Sequence, residues 1–414
     1  LSSVKVVIAP DKFKGSLTSC EAARCMAQGV KDSIPEANVE LCPMADGGEG
    51  TLDAFIEATG AVVHVERVRG PLPGQEVEAR WAYIEPGGLS GMSEEERSDS
   101  FGGFDIRKPV AVIEMAEASG LSLITPVGLR NPLVTNTFGT GELIRSALDK
   151  GIRQIVVGIG GSATVDGGTG MAHALGIHFL DESGVEIEPC GGTLERIREI
   201  DVRERDPRIQ EAKIIVASDV DNPLTGEGGA ARVFGPQKGA TKEQVEVLER
   251  GLVNLSKVIR KTLRIDVSEL KGGGAAGGLG AGLYAFCGAE IRSGVETTAK
   301  ILGFERLLEG ASLVLTGEGS LDAQTTHGKV PAGVCDIATR KEIPTVILAG
   351  SVSEEFSPGH LCAVFSIVPG PVERDEAMEK AGEFLRIATA RLMRLLSIAA
   401  LVFGPQGGEP RTLY

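Results

Sequence analysis

Two short stretches of the 414-residue chain set carboxylates inside runs of glycine. Asp46-Gly47-Gly48-Glu49-Gly50 leads from an extended stretch at 38–42 into a helix-like one, and Asp166-Gly167-Gly168-Thr169-Gly170 repeats the arrangement. Related clusters at Thr225 to Ala231 and Thr316 to Asp322 place Glu227 and Glu318 among glycines. Successive glycines let the backbone curl until its N–H groups converge, and a helix start behind them adds a favourable dipole; both attract phosphate or carboxylate. An aspartate beside such a bend can hold Mg²⁺ against a phosphate or take the proton of an attacking hydroxyl. A single Asp-Gly-Gly is also ordinary turn and N-cap chemistry. The recurrence is what points to a ligand site and to phosphoryl transfer.

The longest glycine loop, Gly158 to Gly170, begins at the end of a strand. Gly158-x-Gly160-x-x-Ala163 fits the relaxed dinucleotide fingerprint, with Asp181 about twenty residues on as the ribose acid. That makes a dinucleotide-binding oxidoreductase, or a non-catalytic nucleotide binder, the alternative reading. Against it, Asp166 falls where a pyrophosphate would press. No Walker A is present: Gly328-Lys329 has Ala323 in place of the first glycine and Val330 in place of Ser/Thr. Cations to neutralise a transferring phosphoryl are available at Lys12, Lys14, Lys238 and Lys329, and His327, beside Gly328, could touch phosphate. Asp219 and Asp221 close a strand and suit a metal or a general base. His64, His173, His178 and His360 show no triad or metal spacing.

Short Val/Ile/Leu runs alternate with helix-period segments, the pattern of parallel sheets with crossover helices. Strands are predicted at Val4–Ala9, Val39–Pro43, Ser312–Thr316, Thr345–Ala349 and Ala363–Val368, with helices at Thr18–Val30, Pro331–Lys341 and Glu376–Leu396. Two early and three late strands predict one flavodoxin-like sheet built from both chain ends. The middle carries strands at Val77–Ile84, Val110–Met115, Gln154–Ile159 and Lys213–Ser218, and helices at Gly141–Lys150 and Gln244–Leu263. The fold class is therefore α/β: a discontinuous flavodoxin-like domain of 1–65 and 295–395, an inserted α/β domain of 66–294, and a tail of 396–414. Gly87 to Gly103, acidic and Ser/Gly-rich without periodicity, reads as a mobile surface loop.

Composition bounds the partners. Hydrophobic residues at 42% and charged residues at 24% suit a globular chain with a large core, and a net charge of −15 without a basic run argues against nucleic acid. Seven cysteines, with no C-x-x-C pair, read as reduced core thiols of a cytoplasmic protein and argue against a structural zinc site. The apolar stretch at 395–403 is far short of the roughly 20 residues needed to cross a bilayer, so no membrane partner is expected. The sequence leaves a monomer and a homodimer both open.

Read together, "IAPDKFKGSLT", "PMADGGEGT", "GIGGSATVDGG", "SDVDNPLTGEGGAARVFGPQKGA", "GGGAAGGLGAGL" and "LTGEGSLDAQTTHGKVPAGV" resemble the bacterial type-1 glycerate kinase family from about residue 4 to about 395. The resemblance implies transfer of the ATP γ-phosphoryl to D-glycerate with Mg²⁺, generally giving 2-phosphoglycerate. It also implies two α/β domains with the active site in their cleft. Three features depart from the family: Val165 stands where Asn is more frequent, Gly87 to Gly103 looks inserted, and the tail has no counterpart. The missing initiator Met is expected to reflect processing or truncation.

With substrate and reaction set by the resemblance, residue chemistry assigns the roles. Gly158, Gly160, Gly161, Ser162, Gly167 and Gly168 hold the ATP phosphates, with Lys238 and Glu318 also on the nucleotide. Asp166 and Asp219 position Mg²⁺. Asp46, Asp166 and Lys14 are the catalytic candidates, Asp46 orienting or deprotonating the glycerate hydroxyl. Lys12, Lys14, Gly47, Gly48 and Glu49 face glycerate.

Overall fold

The computed structural model describes residues 4–86, 104–105, 107–321, 329–354, 356 and 359–403. The segment 87–103, His327 and the end of the tail lie outside them. The chain forms two compact units, one of Leu1–Ala45 with Gly303–Tyr414 and one of Asp46–Leu302.

In chain order the strands are β1 (Lys5–Ile8), β2 (Asn38–Leu41), β3 (Val62–Arg69), β4 (Glu76–Ile84), β5 (Val110–Glu114), β6 (Gln154–Gly158) and β7 (His178–Leu180). They continue with β8 (Glu199–Asp201), β9 (Lys213–Ala217), β10 (Glu290–Arg292), β11 (Leu313–Leu321), β12 (Thr345–Val352) and β13 (Cys362–Ser366). The first unit is a five-stranded sheet in the order β2-β1-β11-β12-β13, parallel throughout, which is the flavodoxin-like order. Val6, Val7 and Ile8 on β1 and Val314 and Leu315 on β11 are fully buried, so these strands read as unbroken apolar runs. β11 runs past the predicted end at Thr316, because Gly317 lies against the Leu348 carbonyl of β12 with no room for a side chain.

The helix Ser19–Ser33 starts in a capping box: the Glu21 N–H donates to Thr18 Oγ1 at 3.1 Å and the Thr18 N–H to Glu21 Oε2 at 2.8 Å. Its Gly29 lets it approach the helix Ala381–Phe403 backbone to backbone, since a Cβ there would lie 2.4 Å from the Arg386 carbonyl. The predicted helix Glu376–Leu396 divides at Lys380 into Arg374–Glu379 and Ala381–Phe403, so 396–403 continue a helix. No described helix is long and apolar enough to cross a membrane.

The second unit holds a six-stranded sheet in the order β10-β9-β6-β5-β4-β3, parallel from β10 to β5 and antiparallel across β4 and β3. β7 and β8 form a separate antiparallel pair. The unit begins at Asp46 and ends at Leu302, not near 66 and 294, for a packing reason. Leu52 and Phe55 of the helix Thr51–Thr59 and Ile301 of the helix Gly294–Ile301 are buried in one cluster with Val112, Val156 and Ile215 of this sheet.

Candidate functional site

The parallel strands β5, β6 and β9 all deliver their carboxyl ends to one edge, where open α/β sheets bind ligands. Each end carries or is followed by an acid: Glu114, Asp166 and Asp219. The loop 46–50 packs against the same edge. The Gly160 N–H donates to the Gly47 carbonyl at 3.0 Å, and Gly47, at φ +86, would place a Cβ 2.1 Å from the Ala217 carbonyl. A Cβ on Gly160 would lie 2.4 Å from Gly48 Cα. Two glycine bends therefore touch main chain to main chain. Gly160→Ala is expected to force them apart, costing about 1–3 kcal/mol of stability and at least tenfold in kcat/KM, checked by urea unfolding and steady-state kinetics.

The acids divide by accessibility. Glu114 is buried and accepts the N–H groups of Gly50, at 3.2 and 3.1 Å, and Leu52, at 3.0 Å, so it holds the start of the helix Thr51–Thr59; burial pushes its carboxyl up to about 7. Asp166 is wholly buried, with one oxygen accepting from Gly168 N–H at 3.1 Å. The other accepts Thr137 N–H at 2.9 Å, Thr137 Oγ1 at 2.8 Å and Gly170 N–H at 3.1 Å. Burial raises its pKa against those donors. Asp166, expected as a catalytic and metal-binding group, has its carboxylate turned to these protein donors, where it organises the loop. Gly167 and Gly168 follow it inward. The Gly167 N–H donates to the Gly277 carbonyl at 3.0 Å, and a Cβ on Gly168 would crowd Gly282 Cα at 3.0 Å, so these N–H groups are not turned toward a nucleotide.

Asp219 is different. It accepts from Ser293 Oγ at 2.7 Å, Gly294 N–H at 3.0 Å and Val295 N–H at 3.2 Å, fixing it at the start of the helix Gly294–Ile301, yet it remains part-exposed. Its pKa is pushed up to about 7, first by burial and then by the charge of Asp46. Asp46 is held close by the same helix start, because Gly294 abuts its carbonyl; its own Oδ1 accepts the Gly48 N–H at 2.9 Å. Asp46, Gly48, Glu49, Gly160, Gly161 and Asp219 thus form the reachable part of the edge. Glu49 lies over Gly161, whose added Cβ would meet Glu49 Cγ at 2.9 Å. Asp221, beside them in sequence, is on the surface in an ion pair with Lys271 at 3.2 Å.

Lys238 is buried behind the loop, donating to Ser162 Oγ at 2.6 Å and to the Thr164 carbonyl at 2.7 Å. It and Ser162, both expected on the nucleotide, meet each other here and brace the loop. Burial lowers its pKa to about 7 against the opposing pull of Asp166. Val165 is fully buried in the large core of the unit, so an apolar side chain replaces whatever an amide would do there.

Lys12, Lys14 and Glu318 fall in the flavodoxin-like unit, at the carboxyl ends of β1 and β11. The Asp11 N–H donates to the Gly317 carbonyl at 2.9 Å, and Asp11 Oδ1 accepts the Lys12 N–H at 2.7 Å with Lys12 Nζ at 3.9 Å. Lys14 is exposed, and Gly319 leaves room for its backbone. Glu318 is buried within β11, paired with Ala349. The sequence reading omitted Asp11, Glu114, Thr137 and Ser293. Glu114 alone carried a signal, an acid closing an apolar strand.

The dinucleotide reading loses its acid. Asp181 accepts the N–H groups of Ser183 and Val185 in the turn after β7, outside the six-stranded sheet. The loop after Gly158 also runs to Thr169 before a helix begins.

Comparison with known proteins gives one answer. A family model described as the glycerate kinase family matches residues 6–397. A glycerate kinase of Bacillus subtilis strain 168 is 42% identical over 403 residues, covering 97% of this chain and all of the relative. A glycerate 2-kinase of Escherichia coli K12 is 42% identical over 398 residues, covering 95% and 98%. A crystal structure described as glycerate kinase 2 from Salmonella typhimurium LT2 superposes with a TM-score of 0.80 at 43% identity, covering 97% of this chain and all of that one.

Proposed function

Since the chain belongs to the glycerate kinase family and is a kinase acting on an alcohol acceptor, we propose that it transfers the γ-phosphoryl of ATP to D-glycerate and yields 2-phosphoglycerate. The observation that carries the site assignment is the reachable pair Asp46 and Asp219 beside the glycine bends 47–48 and 160–161. Two carboxylates close enough for one to raise the pKa of the other fit a hard divalent cation, which takes oxygen ligands and cancels their repulsion. Asp219 is proposed as the residue that holds Mg²⁺, with Asp46 adjoining. Bound there, Mg²⁺ would offset charge on the triphosphate.

Asp46 accepts the proton of the glycerate hydroxyl, and Gly160 and Gly161 let the nucleotide phosphates approach the main chain. Lys238, Asp166 and Thr137 keep that loop in shape from behind. Lys12 and Lys14 are the proposed anion-binding groups of the flavodoxin-like unit. The two compact units are read as a flavodoxin-like domain interrupted by an inserted α/β domain.

Phosphorus NMR of the product tests reaction and position together. The expected result is a single phosphomonoester with phosphorus coupled to the C2 proton. A product coupled to the C3 methylene would overturn the regiochemistry, and no glycerate-dependent loss of ATP would overturn the reaction.

A further inference from the structure

The histidines at 173 and 178, which show no ligand spacing along the sequence, converge in space. His173 lies in the last turn of the helix Thr169–Ala174, whose start Asp166 holds; His178 opens β7; Glu186 returns beside Leu180 after the turn. One carboxylate oxygen, Glu186 Oε1, lies 3.1 Å from His173 Nε2 and 2.5 Å from His178 Nδ1. One nitrogen of each imidazole and a carboxylate oxygen of Glu186 all fall within 4.8 Å of one another. The rings stand edge to face at 5.8 Å, with Phe138 edge-on to His173 at 5.6 Å, so packing sets their directions. His178 Nε2 faces a second acid, Glu204 Oε2, at 3.2 Å.

A neutral imidazole has one N–H and cannot donate to two carboxylates. Either neutral tautomer leaves a lone pair against one of the two acids, and only a second proton or a metal ion in its place at Nδ1 satisfies both. A metal ion seated there removes that conflict by accepting both lone pairs, while Glu204 holds the ring as an outer partner does in carboxylate–histidine–metal sites. Two imidazoles and one carboxylate, with side chains 17%, 28% and 48% exposed, leave a further position to water. We propose that His173, His178 and Glu186 bind a divalent transition metal of the zinc, cobalt or nickel class, joining the far end of the glycine-loop helix to the β7 hairpin. The nitrogen donors exclude Mg²⁺ as its occupant. His173 Nδ1 is buried without a hydrogen-bond partner, so the site lacks one outer support. Its affinity is expected to be about 10- to 100-fold below that of a fully supported site.

The test uses the full chain, stripped with a chelator and titrated with Zn²⁺ alone and with Ni²⁺ alone, in the presence of millimolar Mg²⁺. Wild type is expected to bind one more equivalent than His178→Gln or Glu186→Gln, and its Tm to rise with metal where theirs does not. Binding should weaken as pH falls and protons take the imidazoles. Glu186 is exposed and His178 half-buried, and circular dichroism with unaltered kinase turnover confirms that both variants fold. Equal stoichiometry in wild type and variants, including equal zinc held by cysteines, overturns the proposal. So does a wild type that takes up neither metal at neutral pH, which leaves the cluster as imidazolium ion pairs.

Discussion

Asp46→Asn is expected to lower kcat by about 10²- to 10⁴-fold, the range for removing one essential carboxylate from an acid–base or charge-positioning role in phosphoryl transfer. The substitution keeps the shape, and the amide oxygen can still accept the Gly48 N–H that Asp46 Oδ1 now accepts at 2.9 Å. Folding should therefore survive, and the pH dependence of stability supplies a check independent of turnover. Asp219 has a folded-state pKa of about 7, raised by burial and by Asp46 from the ordinary aspartate value of 3.8. A carboxyl raised on folding stabilises most while it is protonated in both states. Its contribution is full below about pH 4 and is lost as pH climbs through about 7. Removing the Asp46 charge lowers the folded value, so the variant should lose less stability than wild type over that interval and melt at or above it at pH 8. Near-normal turnover would remove Asp46 from the chemistry. An unchanged pH–Tm profile would remove the carboxylate coupling.

The same pair should bind Mg²⁺ in competition with protons, and calorimetry without nucleotide is expected to show affinity rising as pH passes about 7. In Asp46→Asn that rise should be weaker and displaced to lower pH. This readout separates a cation-holding role from a proton-accepting one, since only the first alters metal affinity in the absence of substrate.

How much of this could be read from the chain depends on what each residue touches. The flavodoxin-like order was legible because its inner strands are buried on both faces: Val6 to Ile8 and Val346 to Leu348 leave no polar alternation to confuse with a loop. β3 was missed for the opposite reason. It is an edge strand in which Val68 alone is buried, and its Val62, Val63 and Val65 are exposed. β10 is only three residues long.

At the site, glycine and acid mark the loops but not their orientation. Asp46 and Asp166 both precede Gly-Gly and look equivalent in sequence. Thr137 and Gly277, both distant in the chain, close over one of them and leave the other reachable. The stretch 273–282 supplies that closure through a left-handed run at Ala276, Gly277 and Gly278, where a Cβ on Gly277 would lie 1.9 Å from the Thr164 carbonyl. Its richness in glycine was visible; the loop it packs on was not. The histidine pair is a further case, five positions apart along the chain and joined only by a hairpin return.

The brace behind the loop gives the second large effect. Lys238→Met keeps most of the side-chain volume and removes the amino group that donates to Ser162 Oγ and the Thr164 carbonyl. Below about pH 7 it also removes a cation that Asp166 attracts. Breaking one side of a buried polar pair leaves the other uncompensated, and the expected cost is about 3–5 kcal/mol of folding stability. Because Ser162 follows Gly160 and Gly161, KM for ATP should rise as the loop loosens. The pH dependence again has a definite sign. Burial holds Lys238 at about 7 in the fold, below the ordinary lysine value of 10.5, so between those limits the unfolded chain binds the proton that the folded one has released. Stability of wild type from this group rises with pH across that window, and the gap to Lys238→Met should widen from pH 7 toward 10. Adding Asp166→Asn should cost less in the Lys238→Met background than alone if the two groups act as one unit. Strict additivity of the two changes in urea unfolding would mean that Lys238 acts on the loop through its two hydrogen bonds and owes nothing to Asp166.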